Sequence, residues 1–126
     1  MKFATYFWEL EVYKTAQQLT TEIFELTKSF PREETYSLTD QIRRSSRSIG
    51  AQIAEAWGRR RYEKNFVSKL TEADGEQEET VHWLLVAAGC AYAPIDRVED
   101  LRDICGSIHR MIRSMQDRSD EFCSDF

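Results

Sequence analysis

At 126 residues, with 41% hydrophobic content and two prolines, the chain suits a single helical domain over residues 1–126. A chain of this length buries roughly two thirds of its unfolded surface. A net charge of −5 and a pI near 5.1 argue against a general nucleic-acid binder, which is usually basic across its domain. No apolar run reaches the roughly 18 residues of a membrane span, and no signal-peptide core follows Met1. Cys90, Cys105 and Cys123 are odd in number and lack CxxC spacing, and two fall on helical apolar stripes. A reduced, cytoplasmic protein is the expectation.

The first helix is expected over about residues 7–29. Val12, Ala16, Leu19, Ile23, Leu26 and Phe30 alternate by four and three, and Pro31 stops the run. The second is expected over 38–58, where Ser37 and Asp40 resemble a capping box. Its seam is Ile42, Ser46, Ile49, Ile53 and Ala56. The third is expected over 62–92, along Phe66, Leu70, Ala73, Gln77, Thr80 or Val81, Leu84, Ala88 and Ala91, until Pro94 closes the turn. In the fourth, over 96–118, Asp96 caps and Val98, Leu101, Cys105, Ile108, Ile112 and Met115 line the seam. The acidic tail 119–126 reads as loose. Short links between long helices make neighbours antiparallel, so the fold class is all-α, an up-down-up-down four-helix bundle.

Charge is segregated. Residues 41–70 carry eight basic and two acidic side chains, whereas residues 71–80 carry five acidic and none basic. The second helix holds Arg43, Arg44 and Arg47, with Arg59, Arg60 and Arg61 at its end. If that helix continued to residue 61, then Arg43, Arg47 and Arg61 would project within about 40° of one another. A guanidinium is a planar fork suited to phosphate or carboxylate. These six arginines are therefore the candidate surface for RNA or a protein partner; the alternative is internal pairing with Glu72, Glu76 and Glu79. Trp8, Trp57, Tyr62 and Trp83 lie off the seams and are the candidate interface of a homo-oligomer.

Catalytic patterns are weak. Glu79 and His82 have the i, i+3 spacing of a di-metal helical bundle, but Gly106 stands three residues before the only other histidine, His109. No glycine-rich phosphate loop and no nucleophile on a strained turn is present. The expectation is a non-enzyme with no cofactor, no metal site, no small-molecule substrate and no membrane partner.

Several segments carry a resemblance. They are FWELEVYKTAQQL from Phe7, FP before the acidic residues that lead to YSLT, QIRRSSRSI from Gln41, IAEAWGR from Ile53 and FVSKL from Phe66. With these the chain resembles the four-helix-bundle proteins encoded by intervening sequences of bacterial 23S ribosomal RNA genes. It departs from that pattern at Gln52 and Ala56, where the family usually has Asn and Gly, and at Asp74-Gly75-Glu76. The same superfamily includes the accessory protein of diversity-generating retroelements, a basic pentameric barrel that binds a reverse transcriptase and its template RNA. The resemblance therefore implies a homo-oligomer, most simply a pentamer. It also implies a scaffold or adaptor role near RNA or a reverse transcriptase.

Overall fold

The computed structural model describes residues 4–124, and within them the protein is helical with no strand. Four long helices, α1 (Glu11–Thr27), α2 (Leu38–Gly58), α3 (Glu63–Gly89) and α4 (Ile95–Asp117), are followed by a single-turn α5 (Ser119–Phe122). Short 3-10 turns at Phe7–Glu9 and Arg32–Glu34 precede α1 and α2. The spacings read from the sequence become the buried stripes: Val12, Ala16, Leu19 and Ile23 on α1, and Ile42, Ile49 and Ile53 on α2. Facing them are Phe66, Leu70 and Leu84 on α3 and Leu101, Ile108 and Ile112 on α4. No helix among the described residues is long and apolar enough to cross a membrane.

Polar contacts tie the helices at matched heights. Between α1 and α2, Thr20 Oγ1 donates to the Ser46 carbonyl at 3.2 Å and Arg43 Nε to Thr27 Oγ1 at 2.8 Å. Between α2 and α3, the Ser45 and Thr80 hydroxyls share a buried hydrogen bond of 2.9 Å, and Lys69 Nζ reaches Glu55 at 2.9 Å. Between α3 and α4, His109 Nδ1 meets Asp74 at 2.8 Å and Gln116 donates to Thr71 at 2.9 Å. Arg97 of α4 closes the circuit on Glu22 of α1 at 2.7 Å. Gly50 faces α1 side chains: a Cβ there would meet Gln17 Oε1 at 3.2 Å and the Tyr13 ring at 3.4 Å.

Five boundary expectations are corrected. The first helix does not run from residue 7, because Leu10 is extended (ψ 135°) and separates the 3-10 turn from α1. Ser37 makes no side-chain cap; instead Glu34 Oε1 accepts the Leu38 amide at 3.3 Å. Asp96 is not the cap of α4, which begins at Ile95 after Pro94, where the fixed proline φ pre-organises the turn. The third helix ends at Gly89, not residue 92. There the Tyr92 amide bonds to the Ala87 carbonyl at 2.9 Å and the Ala91 amide to that of Ala88 at 3.0 Å, a Schellman motif. Its left-handed position is Ala91 (φ 60°), which leaves Ala91 exposed rather than on a seam.

The fifth correction concerns the tail. Residues 119–122 form α5, and Phe122 is only 7% exposed. Its ring packs on Trp57 at 6.2 Å and Phe66 at 6.1 Å. Residues 125 and 126 lie outside the described part of the chain.

Candidate nucleic-acid interface

The basic residues of α2 divide into two groups. In the first, Phe24 of α1 projects its ring from the α1–α2 seam and is ringed by cations. The Arg43 guanidinium lies 4.5 Å from the ring centroid, Lys28 Nζ 5.1 Å and the Arg47 guanidinium 5.9 Å. Residues 24 and 28 are one turn apart on α1, and 43 and 47 one turn apart on α2, so two helical repeats converge on one aromatic face. Arg43 is oriented twice, by the ring and by its Nε–H bond to Thr27 Oγ1. Lys28 also pairs with Glu25 at 3.1 Å on the surface, where such a pair is worth little. Arg44 is not among the cations on that ring and, among the described residues, makes a long, exposed contact of 3.8 Å with Asp40.

The second group closes α2. Its last residue is Gly58, so Arg61 leaves the helical projection that would have aligned it with Arg43 and Arg47. Arg59 is the C-cap, and the Tyr62 amide bonds back to its carbonyl at 2.9 Å. Arg60 Nε donates to the Trp57 carbonyl at 2.8 Å while its guanidinium stacks 3.7 Å from the Trp57 ring centroid. Arg60 therefore serves the helix end as a carbonyl cap. Arg59 and Arg61 are exposed.

The acidic stretch of α3 takes its cation from elsewhere. Lys69 Nζ bridges Glu55 and Glu72 at 2.9 Å each. Its hydrogen bonds, to Glu72 first and then Glu55, hold the ammonium pKa above the usual lysine range. The hydrogen bond from Lys69 likewise holds the Glu55 carboxyl below the usual carboxylate range, with Arg59 adding a small effect. Burial, then the charges of Glu79 and Glu72, push Glu76 up. Phe24, Thr27 and Asp40 are partners of Arg43, Arg44 and Arg47, and Trp57 is one partner of Arg60.

The four aromatic interface candidates separate. Trp57 is a correction: at 6% exposure it belongs to the core. Its Nε1–H donates to the Thr5 carbonyl at 3.3 Å, and Phe122 covers the ring. Both covering segments lie outside the four periodic helices, so helical spacing could not reveal them. Trp83 is half-buried and donates through Nε1 to Glu79 Oε2 at 3.1 Å, with His82 edge-on at 4.7 Å. Glu79 and His82 thus sit exposed on α3 beside an indole. Tyr62 is exposed, and Trp8 is 52% exposed.

Sequence reasoning missed Phe24 and Tyr6. Tyr6 stacks on Trp8 with centroids 4.5 Å apart and planes 3° from parallel. Phe24 could have been found, since it lies three residues before Thr27 and four before Lys28 on the edge of the α1 stripe. Tyr6 carried no periodic signal.

A family model for 23S rRNA-intervening sequence proteins matches residues 8–114. The chain belongs to that family. A solved structure, a protein with unknown function from the S23 ribosomal protein family of Bacteroides thetaiotaomicron, superposes with a TM-score of 0.75 at 27% identity. The alignment covers 83% of this chain and 97% of that one. No curated protein matches. The family match spans the whole Phe24–Arg43–Arg47 cluster, while α5 lies beyond it.

Proposed function

We propose that this family member is a non-enzymatic, cytoplasmic scaffold: a single-domain, up-down-up-down four-helix bundle that assembles into a closed homo-oligomer, most simply a pentamer, and docks RNA through the Arg-rich face of α2. The opposite sequence sense of the cross-helix pairs, Thr20–Ser46 with Thr27–Arg43 and Ser45–Thr80 with Glu55–Lys69, supports the antiparallel bundle. The observation that carries the docking surface is the cation cluster around Phe24. Arg43 and Arg47 spend their charge on an aromatic ring and a hydroxyl rather than on a carboxylate, which leaves a local positive field in an acidic protein. At physiological ionic strength that field is felt over about 8 Å, so local charge outweighs net charge for a docked phosphate. Exposed Tyr62 and Leu85 and the half-buried Trp83 are apolar positions open to self-association at different places along α3.

Gel-shift titration of RNA in about 50 and 200 mM salt tests the docking. Each guanidinium taken away from a phosphate should lower the salt slope by about 0.7–0.9, so Arg43→Ala with Arg47→Ala should lower it by about 1.4–1.8. Absence of RNA binding by the wild type at the lower salt removes RNA and leaves a protein-binding adaptor. Replacing Arg59, Arg60 and Arg61 together should cost stability through the Trp57 carbonyl that Arg60 caps. Light scattering that returns 14.8 kDa at micromolar concentration would remove the oligomer.

A further inference from the structure

The cation cluster is one end of a longer feature. Along one edge of the α1–α2 seam, Phe24 faces Arg43 and Arg47, Thr20 bonds to Ser46, and Tyr13 lies against Gly50. The line then continues through Phe7, whose ring meets Tyr13 at 5.0 Å, to Trp8, edge-on to Phe7 at 5.1 Å, and to Tyr6 stacked upon Trp8. Beneath this edge, α2 from Arg43 to the buried Trp57 spans fourteen residues, which sets the length of the edge at about 21 Å.

The aromatic end is a built turn. Glu9 Oε1 accepts the amides of Thr5 at 3.0 Å and Tyr6 at 2.7 Å, and the Trp57 indole pins the Thr5 carbonyl. This holds two parallel rings, 53% and 52% exposed, next to a turn that the Trp57 indole ties to the C-terminal end of α2. A single exposed aromatic needs no explanation, but a fixed stacked pair at the end of a cationic edge does.

We propose that this edge is a track for single-stranded RNA, with phosphates held at Lys28, Arg43 and Arg47 and unpaired bases stacked on the exposed Tyr6–Trp8 pair. The inference rests on the docking reading above and narrows it to the single-stranded form. Cations that track a backbone, joined to aromatic faces that accept any base, are the two parts single-strand binding needs. A duplex offers phosphates but hides its base faces, so the Tyr6–Trp8 pair would gain nothing from it. At 3.4 Å per stacked nucleotide, 21 Å corresponds to about six nucleotides.

The test titrates full-length protein with a U12 oligonucleotide and with a 12-base-pair RNA duplex, reading tryptophan emission and anisotropy at fixed low salt. U12 should bind at least tenfold more tightly than the duplex and quench emission. The quench should vanish in Trp8→Phe, because Trp57 is buried and Trp83 lies on α3. Trp8→Phe keeps a stacking ring and should hold its affinity, whereas Tyr6→Ala with Trp8→Ala should weaken U12 binding by about tenfold or more. Unchanged helical circular dichroism in the double variant would show that the fold survives. Equal binding of U12 and duplex with no Trp8 quench overturns the track and leaves the docking reading standing. No binding of either RNA overturns both.

Discussion

Truncating Phe122 tests whether the chain after Arg118 belongs to the fold. Burying a Phe ring removes about 150–250 Å² from water, which at about 25 cal/mol per Å² bounds its contribution near 4–6 kcal/mol. Phe→Ala in a closed core costs about 3–5 kcal/mol. Phe122, however, sits on a single turn at the end of the helical order, and that turn can detach once its anchor is gone. The loss is then limited to the free energy of docking α5, so Phe122→Ala should cost about 2–3 kcal/mol. Spread over 126 residues, an unfolding entropy of about 2.1 cal/mol/K per residue converts this to a fall in Tm of about 10 °C. Detachment also uncovers Trp57, 6.2 Å away, so its emission should shift to the red. Calorimetry and fluorescence at one protein concentration measure both quantities, and a chain truncated after Arg118 should lose nearly the same stability. A Phe122→Ala variant within about 0.5 kcal/mol of wild type, with unshifted emission, would show that the tail is loose and refute the reasoning.

Three further outcomes follow from the geometry. Ala91 holds a left-handed conformation (φ 60°) that costs an L-residue about 1–2 kcal/mol. Glycine returns part of this as unfolded-state entropy, so Ala91→Gly should stabilise by about 0.5–1 kcal/mol in urea titration; destabilisation would contradict the Schellman end. Glu76 is raised by burial and by Glu79 and Glu72, so its charge opposes folding above its folded pKa and the penalty fades as pH falls through that value. Glu76→Gln should therefore stabilise at pH 7.5 by about 0.4–1 kcal/mol, from two like-charge pairs one turn apart, and the gain should shrink near pH 4.5; no gain at pH 7.5 would refute it. The Cys105 thiol is buried and pushed up to about 12, chiefly by desolvation, while Cys90 is exposed. Under native conditions a thiol reagent should label Cys90 first, Cys123 more slowly and Cys105 only on unfolding; rapid labelling of Cys105 would mean that the core opens.

The sequence alone determined the four long helices and most of their inward faces, although at the end of α3 Ala87 is buried where Ala88 and Ala91 were expected. Apolar residues spaced by three and four leave one way to shield each stripe, so Ile42, Ile49, Ile53, Leu70, Leu101 and Ile108 are buried as their spacing requires. It also located the positive charge on α2, since charge is a local property of the chain. Only the tertiary structure decided what the arginines do. Whether Arg43 meets a carboxylate, a ring or water depends on which α1 residue stands opposite, and the periodicity of α2 carries no information about Phe24 or Thr27. The fate of Trp57 was likewise invisible, because the segments that cover it, Thr5 and Phe122, have no helical period of their own. Element ends escaped for a related reason. Caps and turns are settled by a few backbone hydrogen bonds, such as Leu38 to Glu34 and Tyr92 to Ala87, whose partners are chosen by the packing of the helices they join.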